Sequence, residues 1–211
     1  MDEREYLRQL AVEAHDTVDM LSSHRKGERE RRAVAAFLRC LGVDFSSEKL
    51  VTPECDPPDV MFRDARFEVM IKLDEGRKMH ADWKKKAEQR DSAQSLEELV
   101  ESYHPSSPVP FQDIVSLVVA ELGRKASHYG PNTCSQLDAL LYINLLGKHL
   151  YPLSKAHVPE ELHAQGWRSV CFLFAPYGHV LAVTPEAPEF LRQHEGRTSQ
   201  ECQNPDVLFD L

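Results

Sequence analysis

Residues Leu137 to Ile143, Leu-Asp-Ala-Leu-Leu-Tyr-Ile, form a near-continuous apolar run of strand length. Such a run fits a strand buried on both faces, which needs a covering layer on each side. The preceding segment, Phe111 to His128, is apolar on nearly all sides through Ile114, Val115, Leu117, Val118, Val119 and Leu122, as expected of a buried helix. Gly130-Pro131-Asn132 separates the two. A buried helix feeding a doubly covered strand points to a layered α/β fold with a mixed sheet.

The other elements follow from local pattern. Tyr6, Leu7, Leu10, Ala11, Val18 and Leu21 recur at helical spacing and predict a helix over 3–22, broken by Ser22, Ser23 and Gly27. Val34, Phe37, Leu38 and Leu41 form the stripe of a second helix over 28–41, with Gly42 at its C′ position. A short strand is expected over 49–52, then a rigid extended stretch, Pro53-Glu-Cys-Asp-Pro-Pro58. Asp59 to Arg63 and Arg66 to Leu73 are both strand-like, and the Asp64-Ala65 link between them predicts a hairpin. Asp74 is the expected N-cap of a helix running through Lys78, Trp83 and Lys86. The prolines of Pro105-Ser-Ser-Pro-Val-Pro110 predict a loop over 104–110. A second hairpin, Ser169 to Ala175 and His179 to Val183, is expected around Pro-Tyr-Gly as a C-terminal appendage to the core. The expected organisation is one α/β domain over 1–185 with N-terminal helices, followed by an acidic, flexible tail over 186–211.

Composition removes several function classes. No apolar run approaches the roughly 18 residues of a membrane span, and the charged start MDEREYLRQL lacks the apolar region of a secretory signal, so no membrane partner is expected. The five cysteines are odd in number and include no C-x-x-C, which fits a reducing compartment, the cytoplasm. No H-E-x-x-H, G-x-S-x-G, Walker-type or G-x-G-x-x-G motif occurs. The formal net charge of −9 means that any nucleic-acid partner must be held by a local basic patch.

The first hairpin carries the chemistry. Alternate residues of a strand share a face, so Glu68, Met70 and Lys72 lie on the side opposite Phe67, Val69, Ile71 and Leu73. A hairpin closing symmetrically at Asp64-Ala65 pairs Asp59 with Met70, so Asp59, Glu68 and Lys72 project from one side. Two diagonal carboxylates, Asp59 and Glu68, can converge on one Mg²⁺ or Mn²⁺ ion, and a nearby lysine can position a nucleophile.

Pro58-Asp59 followed by Glu68 on the next strand resembles the PD-(D/E)xK nuclease superfamily. The stretch Asp56-Pro-Pro-Asp-Val through Phe67-Glu-Val-Met-Ile-Lys-Leu-Asp-Glu-Gly-Arg-Lys is similar to a bacterial family of unknown function regarded as endonucleases of restriction-endonuclease-like fold. The resemblance implies a metal-dependent phosphodiesterase acting on DNA or RNA, with Asp59 and Glu68 on the metal. It also implies that an acid of the first core helix, Glu28 or Glu30, can join the site. The chain departs from the pattern where the lysine should stand two residues after the acid. That residue is Met70, and Lys72 lies about 13 Å from Glu68 along the strand. Arg77, Lys78, Lys84, Lys85 and Lys86 follow the hairpin as a candidate phosphate-contacting rim, with Trp83 either stacking on a base or lying in the core. Two readings stand: an Mg²⁺-dependent nuclease, favoured by the paired carboxylates, and an inactive nuclease-fold module binding nucleic acid or protein, favoured by Met70 and the acidic charge. Oligomeric state is not legible.

Overall fold

The computed structural model describes residues 2–100, 105–151 and 159–200. Helix α1 (Glu3–Met20) is capped by Asp2, whose Oδ1 accepts a hydrogen bond from the Glu5 N–H at 2.8 Å. Helix α2 (Lys26–Cys40) ends at Gly42, with φ +67°. The Val43 N–H reaches the Leu38 carbonyl and the Gly42 N–H the Arg39 carbonyl, the paired bonds that close a helix on a left-handed residue. Strands β1 (Val60–Phe62) and β2 (Ala65–Leu73) form the first hairpin. Helix α3 (Met79–Ser92) packs on α1, with Trp83 and Ala87 buried against Ala14. Strand β3 (Ser107–Pro110) leads into α4 (Phe111–Tyr129), a short α5 (Pro131–Cys134) and β4 (Asp138–Asn144). Then come β5 (Lys148–Tyr151), α6 (Glu160–Ala164), β6 (Ser169–Phe174), β7 (Tyr177–Val183), α7 (Glu189–Arg192) and β8 (Thr198–Gln200).

The main sheet is mixed and runs β1-β2-β4-β6-β7-β8, with β2, β4 and β6 parallel to one another. One face packs on α2, where Phe37 and Leu38 meet Phe67, Val69, Leu140, Tyr142, Cys171 and Leu173. The other packs on α4, where Ile114, Val118 and Leu122 meet Ala139, Leu141, Ile143 and Phe172. The architecture is therefore mixed α/β, as expected, with helices on both sheet faces. Helix α2 approaches β7 closely. A Cβ at Gly178 would fall 2.8 Å from Cys40 Cβ and 3.2 Å from Phe37 Cδ2, so only glycine leaves the contact undisturbed.

Several local expectations change. The first hairpin turns at Arg63-Asp64, one residue early, and pairs Phe62 with Ala65 and Val60 with Phe67. Ala65 is fully buried and so belongs to the strand, while Arg63 takes the left-handed φ of 53°. Its guanidinium donates to the Asp44 carbonyl and lies over the Phe62 ring. Asp74 does not cap α3, which starts at Met79; its Oδ2 accepts from the Leu146 N–H at 2.9 Å. Residues 107–110, expected within a loop, form a strand parallel to β5; each strand of that pair has an open edge, which tolerates Pro108 and Pro110. The segment over 49–52 forms no strand: Lys49 ends a turn of 3-10 helix (Ser47–Lys49), and Val51 makes one bridge, to Met61. The second hairpin does not stand beside the sheet: β6 lies within it, and every residue of β6 is buried. Within the stretch expected as a tail, residues 186–200 contain α7 and β8, with Leu191 in the core, while 201–211 lie outside the described residues.

Asp138 is fully buried at the start of β4. Its Oδ1 accepts from Arg168 Nε (3.1 Å) and Ser169 Oγ (2.8 Å), and its Oδ2 from the Arg66 N–H (2.8 Å) and Arg168 Nη2. Asp138→Ala would strand the mostly buried Arg168 charge and should cost about 3–5 kcal/mol in a urea titration. His179 is buried, stacks on Phe172 at 5.4 Å and shares a 2.7 Å hydrogen bond between Nδ1 and Thr198 Oγ1. Burial pushes its pKa down to about 4, so the unfolded chain binds this proton more readily than the native one. Stability contributed by neutral His179 is present above about pH 6.5 and lost as pH falls towards 4, and His179→Gln should flatten that stretch of a pH-dependent unfolding curve.

Candidate functional site

Strand β1 pairs with only the first residues of β2, and among the described residues no strand lies beside the outer edge of β2 beyond Phe67. Asp59, one residue before β1, takes up part of that edge. Its N–H donates to the Phe67 carbonyl (3.0 Å), and its Oδ2 accepts the Val69 N–H at 2.9 Å. A side chain thus satisfies a strand-edge donor, and in doing so it holds a carboxylate beside Glu68. Asp56, Asp59 and Glu68 each bring a carboxylate oxygen within 4.8 Å of the others. Asp59 and Glu68 are buried and Asp56 is exposed.

The surrounding charges come from the two helices that sandwich the sheet. From α4, Lys125 Nζ and Tyr129 OH both donate to Glu68 Oε1 at 2.9 Å. Glu68 Oε2 is buried and, among the described residues, has no hydrogen-bond partner. Burial raises the Glu68 pKa; Lys125 opposes that shift and Asp59 adds to it. Lys125 is itself raised, because its hydrogen bonds to Glu68 and Tyr129 outweigh the effect of burial. From α2, Lys26 Nζ lies 3.0 Å from Asp59 Oδ1 and 3.2 Å from Glu30 Oε1. The Lys26 pKa is raised, chiefly by the hydrogen bond to Asp59. Glu30 is buried, and desolvation together with the neighbouring Asp59 pushes its carboxyl up to about 7. These carboxylates are hard oxygen donors of the kind that hold Mg²⁺ or Mn²⁺.

The sequence-predicted residues divide between this centre and its surroundings. Asp59 and Glu68 come together, and the displaced turn brings them closer than the expected Asp59–Met70 pairing would, without changing their shared side. Lys72 lies apart from them and pairs with Glu121 of α4 at 2.6 Å. Met70 packs into the α4 core, and the ammonium beside Glu68 comes from Lys125. Of the two helix acids, Glu30 enters the centre, while Glu28 pairs with Arg25 and Arg32 on another face of α2. Arg77 is mostly buried and donates to the Asn144 carbonyl and side chain at 3.2 and 3.0 Å, so it fastens the end of β4. Lys78, Lys84 and Lys85 are exposed, whereas Lys86 lies over the buried Trp83 ring at 5.4 Å. Trp83 fills the α1–α3 contact and offers no face to a base. Sequence reasoning missed Lys26, Asp56 and the role of Lys125 with Tyr129. The available signal was spacing: Lys26 and Glu30, like Lys125 and Tyr129, stand four residues apart on one helix face.

A family model described as "Putative endonuclease, protein of unknown function (DUF1780)" matches residues 2–204. The chain belongs to this family. It is also similar to a solved structure from Pseudomonas aeruginosa strain PAO1, described as a protein of unknown function of the monooxygenase superfamily. That likeness has a TM-score of 0.67 and 29% identity, and covers 99% of this chain and 100% of the other. No curated protein matches the chain.

A buried carboxylate with one unpartnered oxygen is kept at a cost to stability. Glu68→Gln should therefore leave metal-free stability unchanged or raise it. Lys125→Met, which leaves Glu68 without its cation, should lower it by about 1–3 kcal/mol. Paired urea titrations in EDTA would check this; a larger loss for Glu68→Gln than for Lys125→Met would mark the carboxylate as structural.

Proposed function

We propose that the chain is a divalent-metal-dependent phosphodiesterase that cuts DNA or RNA at the Asp56, Asp59 and Glu68 centre. The observation that carries this reading is Glu68 Oε2, a buried oxygen with no partner, in a cluster where Asp56 and Asp59 each bring an oxygen within 4.8 Å of a Glu68 oxygen. The family description supports an endonuclease. Mg²⁺ or Mn²⁺ bound there would supply charge stabilisation at the scissile phosphate and a bound hydroxide.

The chain's own groups have distinct tasks. Asp59 and Glu68, with Asp56 at the rim, would hold the ion. Lys125, from α4 and not from the position two residues after the acid, would bring an ammonium to Glu68, orient the attacking water and offset charge on the phosphate. Tyr129 fixes the Glu68 carboxylate, and Lys26 holds Asp59. Glu30, buried and sharing Lys26 with Asp59, would take the proton from water as the water oxygen bonds to phosphorus and the bond to the leaving group breaks. Exposed Lys78, Lys84 and Lys85 would contact the backbone away from the cut.

The cluster contains no histidine, unlike the two-histidine, one-carboxylate set of non-haem iron oxygenases, so the monooxygenase description of the similar structure finds no echo in this centre. The reading is tested by incubating single- and double-stranded DNA and RNA with Mg²⁺ or Mn²⁺. Asp59→Ala, Glu68→Ala and Lys125→Ala should each lower cutting by about a hundredfold or more, and Lys72→Ala should leave it near wild type. No cutting by wild type with any substrate and metal would favour the alternative, a nuclease fold retained for binding.

A further inference from the structure

Helix α2 also presents a charged site on the side away from Lys26 and Glu30. Glu28, Arg31, Arg32, Ala35 and Arg39 recur at helical spacing along that side. The single turn of 3-10 helix Ser47–Lys49 and the following Leu50 fold over them. Between lies a cleft of about 350 Å³, lined by Arg31, Arg32, Arg39, Glu28, Ser47 and Leu50.

Among the described residues, the one carboxylate lining this cleft is already engaged. Glu28 accepts from Arg25 and from Arg32, each at 2.9 Å. Arg31 Nη1 donates to the Thr52 hydroxyl at 2.6 Å, and the Arg39 guanidinium lies 5.8 Å from the Phe45 ring centroid. Among the described residues, neither Arg31 nor Arg39 has a carboxylate within ion-pair distance. In a chain of net charge −9, which has acids to spare, that is a concentration of unneutralised guanidinium in a concave place. Guanidinium forks match the oxygens of a phosphate, and the Ser47 hydroxyl adds a donor. Buried Ala35 and Leu50 give the cleft an apolar floor.

We propose that this cleft is a phosphate-binding site, separate from the carboxylate centre. Its ligand is a phosphate carried by a nucleotide or by a nucleic-acid backbone. Binding there does not depend on whether the chain cuts nucleic acid.

The test measures fluorescence anisotropy of labelled single-stranded and duplex oligonucleotides in EDTA at low salt, with AMP and inorganic phosphate as competitors. Arg31→Gln/Arg39→Gln should weaken binding about tenfold or more and flatten the log–log salt slope by about 1.5, the loss of two phosphate contacts. Glu28→Gln should strengthen it by removing the cleft's only negative charge. Displacement by AMP would identify a free nucleotide as the ligand, and binding of oligonucleotides that AMP does not displace would identify the backbone. The proposal is overturned if wild type binds none of these probes, or if the double variant, with an unchanged thermal melt, binds as tightly as wild type.

Discussion

Asp138 ties together the parts on which the rest of the structure depends. Its carboxylate reaches the first residues of β2 through the Arg66 N–H and of β6 through Ser169, while Arg168 links it to the Asp64 carbonyl in the hairpin turn. One buried anion therefore sets the ends of three parallel neighbours and the turn beside them. Register matters in a sheet covered on both faces, because a one-residue shift would exchange every side chain between the α2 layer and the α4 layer, where its shape does not fit. With β2 held in that register, Glu68 faces α4, and everything in the carboxylate centre follows from that orientation.

The centre itself exists because β1 stops early. A longer β1 would have paired the edge of β2, and the Val69 N–H would have bonded to a backbone carbonyl. Asp59 bonds to it instead, so a structural need and a chemical capacity are met by the same carboxylate. The charges that balance it come from opposite sides of the sheet, Lys26 from α2 and Lys125 from α4. Neither helix alone makes the site; it assembles only when both are docked.

Much of this was legible in the sequence, and the boundary is instructive. The helices α1, α2 and α4 and the strand β4 were visible because each carries an uninterrupted period or a solid apolar run. The hairpin was visible, but its turn was displaced by one residue, because Asp64-Ala65 looks more turn-like than Arg63-Asp64 until Ala65 is seen to be buried. Periodicity placed Asp59 and Glu68 on one side whichever turn was chosen, since the two registers differ by an even step. It could not supply Lys125, which is 57 residues after Glu68 and meets it only through the packing of α4 on the sheet. The same blindness made Lys72 attractive: it is close in sequence and on the correct side, yet Glu121 holds it. Pro108 and Pro110 hid β3, because proline usually denotes a break and only an open edge accommodates it.

The seat of α2 at Gly178 has a consequence for the far end of that helix. Cys40 and Phe37 rest against the bare backbone of β7 near one end, while Glu30 and Lys26 stand towards the other, about 15 and 21 Å from Cys40 along the axis. A helix is stiff, so a shift forced at that contact is carried along its axis towards the other end. Methylating a single α-carbon on the distant strand would thus swing the ammonium and the acid away from Asp59, though no atom of the centre had been altered.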